Sequence, residues 1–153
     1  MKTRNIAWAA VLCFFAVATS FASPNMGTWK LNEAKSNIPA GAPKNSMVKY
    51  EAAGDKVKVT VDGVDGMGKP AHNEWTGKFD GKDYPLMGDS SADTRSYKMV
   101  DAHTTELINK KAGKVTATGR IVVSADGMSR TVTVTGMDPM GMKVTYAAVY
   151  DKQ

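Results

Sequence analysis

Apolar and polar side chains alternate with a period of two along most of the chain after residue 22. In Lys56–Asp62, for example, Val57, Val59 and Val61 alternate with lysine, threonine and aspartate. Successive side chains of a β-strand point to opposite faces of a sheet, so this alternation predicts strands with one apolar and one polar face. No stretch after residue 22 has the 3.6-residue periodicity of an amphipathic helix. The chain is therefore expected to fold as an all-β domain.

Glycine and aspartate separate the alternating segments and predict tight turns between antiparallel strands. Gly54-Asp55, Asp80-Gly81 and Asp126-Gly127 provide residues that tolerate positive φ at such connections. Short hairpins of this kind join successive strands into a meander. The predicted strands are Thr28–Glu33, Ser46–Ala52, Lys56–Asp62, Ala71–Phe79, Lys82–Met87, Thr94–Val100, Thr104–Asn109, Lys114–Ser124, Ser129–Gly136 and Met142–Tyr150.

A meander of this length has to protect the two strand edges that an open sheet exposes. Closing roughly eight to ten strands into an up-and-down barrel removes both edges, so we expect a closed or nearly closed antiparallel barrel, with a two-sheet sandwich as the alternative. One irregular segment, Ala34–Asn45, contains Pro39, Gly41 and Pro43 and predicts a loop across the end of the sheet. That loop is either a lid or a packing element.

The first 22 residues have the pattern of a cleavable signal peptide. Lys2 and Arg4 precede an apolar run, Ile6–Ala18, that is too short to span a bilayer comfortably, and Ser20–Ala22 follow as the cleavage pattern. We therefore predict an N-terminal signal helix, cleavage after residue 22, and a location in the periplasm or outside the cell. Residues 23–153 would then form a single domain with no stable membrane anchor.

Cleavage at this point also limits the chemistry of the mature chain. The only cysteine, Cys13, leaves with the signal, so no disulfide, thiolate nucleophile or cysteine metal ligand remains. Lys2 and Arg4 leave as well. The mature chain then has 18 basic and 15 acidic residues, and the net charge falls from +5 to +3. The charges are interspersed and form no basic stripe, which argues against nucleic acid binding.

Strand parity assigns most aromatic side chains to the interior but leaves two arginines to explain. Arg95 has the parity of Tyr97, and Arg130 has the parity of Val132. Both arginines lie near strand ends, so we expect their stems to reach the rim and their charged heads to stay in water. The alternative is an interior guanidinium that pairs with the carboxylate of a bound ligand, with tyrosine hydroxyls assisting.

Both ends of the mature chain resemble the lipocalin and fatty-acid-binding-protein group of calycin-like barrels. Gly27–Leu31 is similar to the opening strand of that group, in which a Gly-x-Trp motif places a tryptophan, here Trp29, across the closed end. Val149–Asp151 is similar to its last strand. The resemblance implies a barrel with an internal cavity for a small apolar molecule. The group's arginine two places before the terminal tyrosine is Ala148 here, so any carboxylate binding would fall to Arg95 or Arg130.

Two further observations bear on whether the chain is an enzyme. The run His72–Pro85 resembles a widespread group of uncharacterised exported bacterial proteins, a resemblance that implies no activity. The chain lacks the Gly-x-Ser-x-Gly elbow, the phosphate loop and the His-Glu-x-x-His helix. His72 and Glu74 share a strand face and could exchange a proton with a ligand, with Asp83 across the hairpin, but we favour a solvated polar patch that includes Lys78 and Lys82.

Methionine is unusually frequent, with ten in the chain and three in the short segment Met137, Met140 and Met142. Thioether sulfurs are soft ligands, so this segment could bind Cu(I) in an oxidising compartment. Methionine also fills irregular gaps in packing, which needs no metal. We predict no cofactor and give the methionine segment only as an alternative metal site.

These observations favour a non-enzymatic binding module that holds a small hydrophobic molecule inside the barrel. The alternatives are a structural domain with a filled core, Cu(I) binding by the methionine segment, and a small hydrolase or isomerase using His72 and Glu74. The sequence leaves the oligomeric state open. The predicted ligand-binding residues are Trp29, Tyr50, Trp75, Phe79, Arg95, Tyr97, Arg130 and Tyr150.

Overall fold

Ten antiparallel strands close into one barrel. The structure is a computed structural model that describes residues 23–138 and 140–153, so the predicted signal peptide lies outside the described residues. Each strand pairs with its neighbours in sequence, and β1 pairs with β10 to close the sheet. The strands are β1 Gly27–Leu31, β2 Lys44–Ala53, β3 Lys56–Val64, β4 Pro70–Gly77, β5 Tyr84–Met87, β6 Thr94–Met99, β7 Thr104–Lys111, β8 Lys114–Val123, β9 Ser129–Met137 and β10 Lys143–Lys152. The predicted up-and-down barrel is confirmed, and the sandwich alternative is wrong.

Strand ends differ from the prediction by at most two residues, and the differences at β4 and β5 affect the predicted site. The predicted strand to Phe79 ends at Gly77, and the next begins at Tyr84 rather than at Lys82. The Asp80 carboxylate accepts a hydrogen bond from the Lys82 backbone N–H at 3.0 Å and another from the Tyr84 hydroxyl at 2.8 Å. These side-chain bonds hold a wide turn that replaces the ladder at this point. Only two residue pairs join β4 to β5, and two join β5 to β6.

The segment before β1 crosses and closes one end of the barrel. Asn25 is fully buried, and its side-chain amide donates to the Thr105 hydroxyl of β7 at 2.9 Å. The Trp29 indole N–H donates to the Asn25 carbonyl at 2.8 Å, and the indole has no exposed surface. Because β1 and β7 lie on opposite sides of the barrel, these bonds tie a cap across the opening. We call this the closed end.

The predicted irregular segment between β1 and β2 begins with a single 3₁₀ turn, Glu33–Lys35. The Asn32 side chain caps this turn by accepting from the Lys35 backbone N–H at 3.2 Å. Asn37 then pairs with Ala147 of β10, and Ile38 packs against the core. The start of the loop is therefore fastened by backbone pairing to the edge of β10, beyond the end of β1. Within the described part of the chain, no helix has the length and apolar character needed to cross a membrane.

Candidate functional site

Five aromatic rings form a connected cluster in the middle of the barrel. Trp75 meets Tyr97 edge to face at 4.7 Å between centroids and Tyr84 at 5.7 Å, and it stacks with Phe79 at 6.1 Å. Tyr50 meets Tyr97 at 6.4 Å. Edge-to-face and offset contacts at these separations are favourable beyond the burial of the ring surfaces. Phe79 joins the cluster as parity predicted, although it lies in the turn after β4 and outside the strand.

Arg130 lies near the closed end, surrounded by aromatic rings. Its guanidinium carbon is 4.8 Å from the centroid of Trp29 and 5.0 Å from the centroids of Tyr50 and Tyr150. The residue is only 2% exposed. Its Nε and Nη1 atoms are buried and have no hydrogen-bond partner among the described residues. Attraction between cation and π-systems therefore offsets part of the cost of burial, while three N–H donors stay unsatisfied.

Arg95 is also inside the barrel, but its hydrogen bonds are made within the protein. Its Nε donates to the Asn109 side-chain oxygen at 2.7 Å, and its Nη1 to the Tyr97 hydroxyl at 3.4 Å. The residue is 8% exposed. The expectation that both arginine heads remain in water at the rim is therefore wrong. The rings of Trp29, Tyr50 and Tyr150 enclose the head of Arg130, and hydrogen bonds to Asn109 and Tyr97 hold the head of Arg95 inside the barrel.

The buried polar side chains near these arginines are all neutral. The buried polar and charged residues of the described chain comprise amides, hydroxyls and the two arginines, without a carboxylate. Burial raises the pKa of the Tyr97 and Tyr150 phenols far above the ordinary value, so both hydroxyls keep their protons. The interior therefore holds two positive charges, and none of the ion pairs of the described residues includes them.

Burial of the inward-facing side chains of β8, β9 and β10 falls from one end of the barrel to the other. Near the closed end, Tyr150 and Ile121 are almost fully buried. Farther along the same inner wall, the inward positions of β8, β9 and β10 are only half-buried. We call these positions the accessible half; they are Ala117, Val134, Val144 and Tyr146.

Two depressions on the described surface are small. One, of about 230 Å³, lies over the short contact between β4 and β5 and is lined by Glu74, Trp75, Thr76, Pro85 and Met87. The other, of about 50 Å³, lies under the loop after β1 and is lined by Glu33, Ser36, Ile38 and Lys44. Both are below the size of about 300 Å³ that is usual for small-molecule pockets. Neither supplies a better candidate site than the interior.

His72 and Glu74 lie on the outer face, where they form a polar cluster across β3 and β4. The His72 Nδ1 atom is 2.6 Å from the Asp62 carboxylate, and its Nε2 atom is 3.5 Å from Glu74. Glu74 also pairs with Lys58 at 3.1 Å. The Asp62 hydrogen bond raises the pKa of His72 above its ordinary value. All these side chains are substantially exposed, as a solvated patch requires.

Asp83 does not join this cluster, so the suggested third partner for His72 and Glu74 is wrong. Its carboxylate instead accepts a hydrogen bond from the Lys110 ammonium at 2.7 Å. The turn at Asp80 displaces Asp83 from the strand position that the sequence predicted.

The methionine segment forms the exposed tip of the β9–β10 hairpin. Met137, Met140 and Met142 are between 61 and 84% exposed. The Asp138 carboxylate shapes the turn by accepting from the backbone N–H groups of Met140 and Met142 at 2.9 and 2.8 Å. Met137 continues the outward parity of β9, whereas Met142 has the inward parity of β10. Within residues 23–138 and 140–153, no group of three or more His, Cys, Asp or Glu side chains is placed to hold a metal.

The interior brings together the residues that the sequence assigned to a ligand site, together with three that it missed. Trp29, Tyr50, Trp75, Tyr97, Arg95, Arg130 and Tyr150 are buried, and Phe79 packs beside them. Asn25, Thr105 and Asn109 were missed. Parity within β7 could have identified Thr105 and Asn109, because they lie on the same inward face as Leu107. Asn25 precedes the first strand and leaves no periodic signal.

Comparisons with known proteins add no functional assignment, so the candidate site rests on the geometry of the barrel. No protein-family model matches the chain, and no curated protein matches it.

Proposed function

We propose that this chain is a non-enzymatic, exported binding protein that holds a small apolar molecule inside its barrel. The observation that carries the proposal is the gradient of burial along the inner wall. A closed, aromatic end passes into an accessible half whose inward side chains are mainly apolar. An accessible apolar surface inside a barrel is what a small hydrophobic ligand would cover.

The aromatic cluster supports this proposal by offering a wall of rigid rings. Trp75, Phe79 and Tyr97 are in mutual contact, with centroid separations between 4.7 and 6.1 Å. Large rings with few rotatable bonds lose little conformational entropy when they contact a ligand. The filled-core alternative predicts instead that the accessible half serves only for packing. A binding experiment separates the two hypotheses.

The test is a fluorescence titration with the neutral apolar probe N-phenyl-1-naphthylamine. Filling the accessible half through Val134→Trp should weaken binding at least tenfold, because Val134 points inward and faces Tyr146 and Gly119. The matched control is Thr133→Trp, on the outer face of the same strand. Circular dichroism and thermal melting would check that both variants keep the fold.

The expected result is saturable binding by the unaltered protein and by Thr133→Trp, with a loss in Val134→Trp alone. Absence of saturable binding, or equal affinities in the two variants, would contradict interior binding and favour a filled structural core.

A further inference from the structure

We propose that the tip of the β9–β10 hairpin binds Cu(I) through the thioether sulfurs of Met137, Met140 and Met142. This site lies outside the barrel and does not depend on ligand binding in the interior. The sequence left two explanations for these methionines, a soft metal site and the filling of gaps in packing. Their exposed fractions, between 61 and 84%, argue against packing.

Methionines that do serve packing have different surroundings in this fold. Met26 packs against the hydrophobic core, and the Met99 sulfur accepts a hydrogen bond from the Thr105 hydroxyl at 3.1 Å. Methionine suits such irregular contacts because its side chain is unbranched and flexible. The side chains of the methionine segment lie mainly in water instead, so their apolar surface contributes little to the stability of the fold. They are open to a metal ion from solvent.

Asp138 draws the three methionines into one tight turn. Its Oδ1 atom accepts from the backbone N–H groups of both Met140 and Met142, at 2.9 and 2.8 Å. The Asp138 backbone N–H donates to the Met142 carbonyl at 2.8 Å. Met137 directly precedes Asp138 and pairs with Lys143, the residue after Met142. All three side chains therefore begin within a single turn, which the backbone and one carboxylate hold in place.

The flexibility of methionine allows the three sulfurs to meet over this turn. Met137 and Met142 leave the hairpin on opposite faces, and both are more than half exposed. Each side chain has three rotatable bonds, so each can bend over the tip. Met140 lies at the tip itself and is 84% exposed. The metal would therefore lie beyond the last strand pair.

The set of donor atoms selects the metal. Thioether sulfur is a soft ligand and favours Cu(I). Zn²⁺ is normally held by thiolates, imidazoles and carboxylates, whereas Ca²⁺ and Mg²⁺ take oxygen ligands. Within residues 23–138 and 140–153, no three His, Cys, Asp or Glu side chains are placed to hold such an ion. Three thioethers in one turn therefore point to Cu(I).

The test is an NMR titration of the protein labelled with carbon-13 in its methionine methyl groups. Cu(I) is added as its acetonitrile complex under anaerobic conditions. The methyl signals of the methionine segment should shift together and reach saturation at one equivalent. Met67, Met87 and Met128 are internal controls, because they are also more than half exposed but lie elsewhere on the barrel. Their signals should stay in place, and Zn²⁺ should shift none of the methyl signals.

Leucine substitutions test the sulfur atoms themselves. Leucine at all three positions of the methionine segment keeps an apolar side chain of similar size but removes the ligand atoms. Competition with the chelator ferrozine should show Cu(I) binding weakened at least tenfold. The matched control carries leucine at Met67, Met87 and Met128, and it should bind Cu(I) as the unaltered protein does.

Asp138 is expected to act as a positioning residue, and two substitutions separate this role from direct metal binding. Asp138→Ala removes the acceptor that holds the turn, so it should weaken Cu(I) binding severalfold. Asp138→Asn keeps an oxygen acceptor without the charge, so it should restore most of the affinity. Equal losses in the two variants would overturn the positioning role.

Two results would overturn the site itself. One is a titration in which the control methionines shift as much as the methionine segment. The other is an unchanged affinity for Cu(I) in the variant with leucine at all three positions of the segment. Neither result affects binding of the naphthylamine probe in the interior, so the two proposals can fail separately.

Discussion

Trp29 connects a short sequence motif to the closure of the barrel. Its indole is fully buried, donates a hydrogen bond to the Asn25 carbonyl, and lies against the Arg130 guanidinium. The Gly-x-Trp resemblance implied a tryptophan across the closed end, and the structure places one there. The motif could not indicate Arg130 or the bond between Asn25 and Thr105, because these contacts bring together residues far apart in sequence.

Replacing Trp29 by alanine should destabilise the fold severely. Large aromatic side chains removed from a core typically cost about 3–5 kcal/mol, because apolar contacts are lost and a cavity remains. Urea denaturation would measure the loss in the free energy of unfolding. Val122→Ala is the control, since Val122 lies on the exposed outer face of β8 and should change stability by less than about 0.5 kcal/mol. Similar losses in the two variants would contradict the closing role of Trp29.

The pKa of His72 should depend on Asp62. The hydrogen bond that the Asp62 carboxylate accepts from His72 raises this pKa above the ordinary value of about 6.5, with a smaller contribution from Glu74. A raised folded-state pKa means that the stabilisation is present below the unfolded pKa and disappears as pH rises through the folded value. Proton NMR of the imidazole should show a lower pKa in Asp62→Asn and no change in Glu106→Gln. An unchanged pKa in Asp62→Asn would contradict the pairing.

At the scale of strands, alternation was enough to predict all ten elements, whereas irregular backbone was not predictable. Alternation is strong because every strand has one buried and one solvated face. The turn at Asp80 depends on side-chain hydrogen bonds with Lys82 and Tyr84, which have no periodic signature. The bulge in β2 between Asn45 and Met47 likewise depends on contact with β3. Parity predicted the inward position of Phe79, whereas the position of Asp83 required the structure.

Gly63 should be essential to the pairing of β2 with β3. A Cβ atom at this position would overlap the Lys44 carbonyl oxygen and approach the Asn45 Cα to 2.8 Å, and backbone atoms cannot move aside easily. Gly63→Ala should therefore lower the melting temperature by several degrees. Gly136→Ala is the matched control, because a Cβ there meets its nearest neighbour at an ordinary 3.5 Å. Equal melting temperatures for the two variants would show that the bulge tolerates a side chain.

At the scale of the whole molecule, the sequence predicted which side chains lie in the interior. It did not predict whether the two interior arginines have partners for their charges. Parity placed Arg130 among inward residues, but it could not show what surrounds the guanidinium. The rings of Trp29, Tyr50 and Tyr150 lie around it, and all three come from strands far from Arg130 in sequence. Arg95 has hydrogen-bond acceptors, whereas Arg130 lacks them for Nε and Nη1. The charge balance of the interior therefore arises from the assembled barrel.

Native mass spectrometry of the protein purified gently from the cells that produce it tests interior binding most directly. The sample is compared before and after organic extraction. We predict a polypeptide mass that corresponds to residues 23–153, carrying an additional small apolar molecule that extraction removes. A bare polypeptide at every stage of gentle purification would contradict a carried ligand, and a mass that includes residues 1–22 would contradict cleavage of the signal.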